Sequence, residues 1–285
     1  MVCKMFMSLK FMKNKLLKWF YDNGHYISLT LLIVPISYFE IFIVLPTILE
    51  LWSFSFICHL GCANFFIFNV IGNIIYGMYT YTTIKCMNLE GFNNKKEWTF
   101  CTVCECLRPP RSWHCNTCEI CILKRDHHCR FLACCVGYFN HRYFMCLMFY
   151  SSMGLLYFLY LNIRYVSLFL TWNRMLILKL ICPFGGLVLD YGSESWYAFL
   201  LVLNLLSGLT TGCLFNFHMG NLLNGKITSE TRSESNDYDY DQGWKLNLIE
   251  VFGSRWYLTW ISPFIHSKLP GNGVEWTVDQ KIKIC

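Results

Sequence analysis

Four stretches of this 285-residue chain are long and apolar enough to span a bilayer: 27–49, 58–80, 143–163 and 196–217. A helix needs about 20 mainly apolar residues to cross the hydrocarbon core. Polar sequence divides them unevenly, with only Glu50 to Ile57 between the first two, but 85–142 between the second and third and 164–195 between the third and fourth. The pattern predicts an α-helical polytopic membrane protein with four transmembrane helices and polar ends at 1–26 and 218–285. No internal repeat is evident. Glu40 falls inside the first span, where a carboxylate is costly, so it should face neighbouring helices or water or be protonated, as a satisfied interior group or one that handles substrate. Thr228 to Asp241 reads as a polar loop. Trp244, Leu246, Leu248, Ile249, Val251 and Phe252 read as a helix in the membrane interface or packed on the soluble part.

Basic residues orient the spans. Five lie in the first 26 residues, nine between the second and third spans and seven after the fourth; the first loop has none, and 164–195 has Arg164, Arg174 and Lys179. Both ends and 85–142 are therefore expected in the cytosol, with 164–195 a lumenal connection. Its apolar Met175 to Cys182, broken by Pro183-Phe-Gly-Gly, suits an interfacial or re-entrant piece. Lys4 to Lys18 alternate with apolar residues and read as a basic amphipathic lead-in, not a secretory signal.

Composition agrees: 55% hydrophobic and 15% charged residues are too apolar for two ordinary soluble cores. The net charge of +6 is scattered rather than gathered into one basic patch, which argues against nucleic acid as a partner. Seventeen cysteines could make a disulfide scaffold. Nine of them, however, fall in Cys101 to Cys135, in the segment assigned to the cytosol, where thiols stay reduced and metal ligation or catalysis is favoured.

Within that segment run Cys101-x2-Cys104, His114-Cys115-x2-Cys118-x2-Cys121, and then His128 and Cys135. Zinc takes four tetrahedral thiolate or imidazole ligands, and Cys-x2-Cys lets two sulfurs reach one ion, so eight ligands make two Zn2+ sites. Large apolar residues are too few here for folding by burial alone, so metal should supply much of the folding free energy. Cys106, Cys129 and Cys134 are left over.

A reactive cysteine needs a base and a group that orients the base. Asp126, His127 and Cys129 supply these types within four residues: His127 would take the thiol proton, Asp126 would hold the imidazole, and Cys129 would attack. The competing reading makes Asp126 a turn residue and His127 a third-site or surface histidine.

At this point the chain closely resembles the DHHC protein S-acyltransferases, or palmitoyltransferases. The match runs through Arg108-Pro109, Arg111, His114-Cys115, Asp126-His127-His128-Cys129, Cys135-Val136-Gly137, Asn140 and Phe144. It resumes at Tyr240-Asp241, Gly243, Asn247 and Val251-Phe252-Gly253, similar to the family's C-terminal motif. The resemblance implies four spans with a cytosolic two-zinc cysteine-rich domain between the second and third. It implies that Cys101, Cys104, His114 and Cys121 hold one ion and Cys115, Cys118, His128 and Cys135 the other, both structural. It further implies transfer of a long-chain acyl group from palmitoyl-CoA to cysteines of substrate proteins through a Cys129 thioester, with the chain held in the bilayer. Residence in endoplasmic reticulum or Golgi would follow family habit. Arg108 and Arg111 are candidates for the CoA phosphates, because guanidinium pairs well with them; a structural or solvated role competes. The small residues Ser151, Ser152 and Gly154 would leave room for an acyl chain or let helices pack closely.

The chain departs from the family pattern in places. Arg130-Phe131 replaces Pro-Trp after the active cysteine, Cys134 replaces Asn, and Ile227-Thr228-Ser229-Glu230 replaces Thr-Thr-x-Glu. The alternative function is therefore a catalytically weak member acting as a membrane adaptor.

Overall fold

The computed structural model describes residues 38–49, 53–82, 98–171, 173–190, 192–232, 238–276 and 279–280. Among them, three helices are long and apolar enough to span a membrane: α2 (Phe54–Thr82), α3 (His141–Phe169) and α6 (Ser193–Leu223). The molecule is a multi-pass helical membrane protein. The first 11 residues of the expected 27–49 span lie outside the described residues, as do 1–26. Its described part is a π-helical turn, Glu40–Val44, running into α1 (Leu45–Ile48).

Helix α3 packs on one side against α2 and on the other against α6. Small residues set the close approaches. A Cβ at Gly154 of α3 would sit 3.3 Å from Phe66 of α2, and one at Gly208 of α6 would sit 3.5 Å from Leu155 of α3. At Gly154 the space left by a missing side chain is thus taken up by helix packing. Glu40 is buried, as expected of a carboxylate at that depth. Its Oε1 accepts from Asn162 Nδ2 of α3 and, at 3.2 Å, from Asn204 Nδ2 of α6, so one carboxylate gathers three elements. Between α3 and α6, α4 (Arg174–Ile181) and α5 (Pro183–Leu189) turn Ile181, Phe184, Val188 and Leu189 outward.

Between α2 and α3 the chain builds three antiparallel hairpins: β1 (Thr99–Cys101) with β2 (Cys106–Arg108), β3 (Trp113–Cys115) with β4 (Ile120–Ile122), and β5 (His127–Cys129) with β6 (Cys134–Val136). Their last rungs, Cys101 with Cys106, Cys115 with Ile120 and Cys129 with Cys134, recur every fourteen residues. Each loop closes on a residue in the left-handed region: Glu105 (φ 51°), Glu119 (φ 57°) and Ala133 (φ 54°). The segment is therefore an internal repeat, contrary to the expectation of none. Side-chain identity hides it, because the third unit puts Leu132 where the first two have Cys104 and Cys118.

The third hairpin docks on the membrane helices. Leu132 is fully buried against Gly77 of α2, and Asn140 pins the junction: Oδ1 accepts from Gly137 N, while Nδ2 donates to Cys135 O at 3.0 Å and Gly77 O at 3.2 Å. The tail closes the other side. The stretch expected as a loop from Thr228 begins as a short helix, α7 (Thr228–Arg232). A two-residue strand β7 (Tyr238–Asp239) pairs with β8 (Asp279–Gln280), and between them α8 (Trp244–Phe252) buries Asn247, Leu248, Val251 and Phe252 while Trp244 and Leu246 face outward. Asn247 Nδ2 donates to Leu223 O at the end of α6 and to Asp241 Oδ1.

Candidate active site and metal centres

Two Cys/His groups in the hairpins have the form of metal sites: Cys101, Cys104, His114 and Cys121, and Cys115, Cys118, His128 and Cys135. In the first, His114 Nδ1 lies 3.2 Å from Cys104 Sγ and 3.9 Å from Cys121 Sγ. In the second, His128 Nδ1 lies 3.3 Å from Cys118 Sγ and 3.7 Å from Cys135 Sγ, and the two sulfurs are 3.8 Å apart. A zinc tetrahedron with Zn–S ~2.3 Å and Zn–N ~2.0 Å separates its ligand atoms by roughly 3.5–3.8 Å. The spacing fits. The hairpins otherwise bury little, with Cys115, Ile122 and Cys135 as the core of their own cluster. Each group draws ligands from two successive hairpins, so a bound ion would cross-link the repeat.

Cys129 stands at the position of Cys101 and Cys115 in the third unit, where no second knuckle cysteine exists. It is only 5% exposed and belongs to the core cluster shared with Leu132, Cys134, Phe144 and Met145. His127 Nδ1 donates to Asp126 Oδ2 at 2.7 Å. Burial opposes charging this imidazole, but Asp126 first and Cys129 next favour the charged ring and raise it from its ordinary 6.5 to about 9. Burial likewise opposes the ionised form of Asp126, yet the His127 bond, with the Thr228 N–H, holds the carboxyl well below the usual range. Asp126 is thus an anion that needs donors.

Those donors come from across the chain. Thr228 N donates to Asp126 Oδ1 at 2.7 Å, and Thr228 Oγ1 donates to Oδ2 at 2.9 Å. On the same short helix, Glu230 takes a bidentate pair from Arg111, whose Nε and one terminal nitrogen each donate at 2.8 Å. Arg111 also donates to Gly225 O and lies 4.3 Å from the Tyr240 ring and 4.8 Å from the Trp276 ring. Its guanidinium is sequestered in this buried brace, not turned toward solvent. Arg108 is half-buried, and its Nε has no hydrogen-bond partner among the described residues.

The departures from the family pattern look different in place. Ile227 is fully buried, and its N–H donates to Glu230 Oε2 at 2.9 Å, which is half of a capping box. Isoleucine lacks the hydroxyl of the other half, but the contact to Asp126 is made by Thr228. Arg130 and Phe131 lie exposed in the loop of the third hairpin. Cys134 is 3% exposed, and burial pushes its thiol up to about 12.

Sequence reasoning missed His218. It projects from α6 into the same cluster, its Nδ1 3.4 Å from Asp126 Oδ2. His218 falls one residue past the expected 196–217 span and within the longer helix Ser193–Leu223, so only its place at the span's edge could have drawn attention to it.

Residues 94–236 match the family model for the DHHC palmitoyltransferase domain. The chain is 32% identical over 220 residues to probable palmitoyltransferase ZDHHC24 of Mus musculus, covering 76% of this chain and 77% of the relative. It is 34% identical over 219 residues to probable palmitoyltransferase ZDHHC24 of Homo sapiens, covering 75% and 76%. Palmitoyltransferase PFA3 of Yarrowia lipolytica is 28% identical over 213 residues, covering 64% of this chain and 50% of the relative.

Proposed function

This chain belongs to the DHHC palmitoyltransferase family, and we propose that it is a protein S-palmitoyltransferase working through an acyl-enzyme on Cys129. The observation that carries the reading is the buried Asp126, held by Thr228 and presenting His127 to Cys129. His127, whose raised pKa favours its protonated form, holds the Cys129 proton as sulfur attacks the thioester carbonyl of palmitoyl-CoA. The tetrahedral intermediate collapses, CoA sulfur leaves, and His127 returns the proton to it. In the second half a substrate-protein cysteine gives its proton to His127 and attacks the Cys129 thioester, and Cys129 leaves and is reprotonated. Asp126 stabilises the imidazolium in both halves.

Two Zn2+ ions held by the two tetrads would be structural, because each tetrad completes a tetrahedron and leaves no position for a reacting group. The supporting observation is the ligand spacing. Both chain ends and the hairpins would face the cytosol, in endoplasmic reticulum or Golgi, with the acyl chain among the helices. Each buried CH2 contributes about 0.8 kcal/mol to that partition. Arg108 is the better of the two arginines for a CoA phosphate, since Arg111 is engaged with Glu230.

Purified protein incubated with a labelled palmitoyl-CoA analogue should carry a hydroxylamine-sensitive adduct that Cys129→Ser abolishes and Cys134→Ser keeps. Label surviving in Cys129→Ser would overturn the nucleophile. Well-folded wild-type protein that takes no label would point instead to the adaptor reading, for which exposed Arg130 beside Cys129 is the feature to pursue.

A further inference from the structure

We infer that His218 is a positioning residue of the acylation step, the second imidazole on Asp126, acting on Cys129 through His127. The inference rests on the function proposed above.

Two side-chain donors bond one oxygen, and a second imidazole nitrogen stands beside them. Around Asp126 Oδ2 stand His127 Nδ1 at 2.7 Å, Thr228 Oγ1 at 2.9 Å and His218 Nδ1 at 3.4 Å. A carboxylate oxygen accepts and an imidazole N–H donates, so the geometry favours the His218 tautomer with its proton on the nitrogen that faces Asp126. The side chains of Asp126 and His218 are 1% and 8% exposed, so water does not readily replace this contact. Aromatic packing fixes the ring: His218 lies 5.2 Å from His127, and Phe144 meets both edge-on, 4.9 Å from each. At 3.4 Å the contact is longer than a good hydrogen bond, as catalytic contacts often are before substrate binds.

The elements explain why a third contact matters. Asp126 and His127 belong to the hairpin module, whereas His218 belongs to the membrane helix α6 and Thr228 to the turn that follows it. With Thr228 alone, the carboxylate is held from one side. His218 approaches it from the helix on which the turn hangs and opposes rotation of the carboxylate away from His127. The His127 ring is then kept in the orientation that leaves its other nitrogen on Cys129.

The test replaces His218 in the full-length protein in detergent and measures the rate of Cys129 labelling at saturating palmitoyl-CoA, together with KM, metal content and thermal midpoint. Asparagine places an amide N–H where Nδ1 stood; glutamine places one where Nε2 stood; phenylalanine keeps the ring alone. His218→Phe and His218→Gln should label on the order of 10-fold more slowly with KM unchanged, and His218→Asn should recover most of the rate. Equal rates for Phe, Gln and wild type would overturn the inference, as would a loss shared equally by Asn and Phe. Should His218→Phe not fold, the Asn-to-Gln comparison decides in the same way. A wild-type protein that labels normally while these variants also label normally defeats this inference alone; an unlabelled wild type defeats the reading beneath it.

Discussion

At the residue scale, function concentrates on how one buried carboxylate is satisfied. Asp126 receives two bonds from Thr228, and the hydroxyl bond is removed without changing shape by Thr228→Val. A hydrogen bond to a charged group contributes about 1.5–3 kcal/mol, so this variant should acylate roughly 10-fold or more slowly, measured as the single-turnover rate of Cys129 labelling. A wild-type rate would mean that the backbone bond alone holds Asp126. The protonated state of His127 carries a pH signature. Its pKa is raised on folding from 6.5 to about 9, so the stability it contributes is full below 6.5 and is lost as pH rises through about 9. The thermal midpoint of wild-type protein should fall across that window more steeply than that of His127→Gln; parallel curves would remove the Asp126–His127 pair as the cause.

At the element scale, each hairpin needs its neighbour and the tail needs α6. The Arg111–Glu230 pair ties the second hairpin to α7, with side chains 1% and 5% exposed. Breaking such a pair from one side leaves a buried charge and costs about 3–5 kcal/mol. Glu230→Ala should therefore lower the unfolding midpoint and slow labelling together, because Thr228 sits on the same short helix. Retained stability with slow labelling would confine Glu230 to the site. Gly253 ends α8 at φ 80°, and a Cβ there would lie 2.4 Å from Ser267 Oγ and 2.7 Å from Lys268 O. Two of those obstacles, the positive φ and the backbone oxygen, cannot be relieved by a rotamer change. Gly253→Ala should destabilise the tail by about 1 kcal/mol or more, read as earlier proteolysis after residue 243.

At the scale of the whole molecule, a cysteine-rich hairpin module with two potential metal sites is clamped between apolar helices and a C-terminal cover. The two parts draw stability from different sources. Burial holds α2, α3 and α6 in their shared clusters, and Glu40 satisfies polar groups of α3 and α6 between them. The hairpins bury little of their own and carry the two Cys/His tetrads. Removing metal with a strong chelator should abolish Cys129 labelling and expose 98–136 to protease, while helical circular dichroism falls little. Native metal content should be two ions per chain. Labelling that survives full metal loss would show that the hairpins stand without ions.

Much of this was legible along the chain because its causes are local. Apolar runs of span length mark α2, α3 and α6, since the bilayer requirement is a matter of composition over consecutive residues. The Cys-x2-Cys spacings pick out Cys101, Cys104, Cys115, Cys118 and Cys121, since a chelating turn is short. The Asp126, His127 and Cys129 types are adjacent. Other features depend on residues far apart and were decided only by tertiary structure. His218 and Thr228 reach Asp126 from about a hundred residues away, and nothing in their own surroundings names that partner. Arg111 shows the same limit from the other side: its chemistry suits a phosphate equally well, and packing gave it to Glu230 instead. The hairpin repeat is a repeat of backbone register, visible once pairing is known and concealed by Leu132 in the sequence. Ligand chemistry and membrane-span length are properties of short segments, so the amino-acid sequence determined them; which buried charge meets which donor is settled when distant segments compete for the same desolvated space.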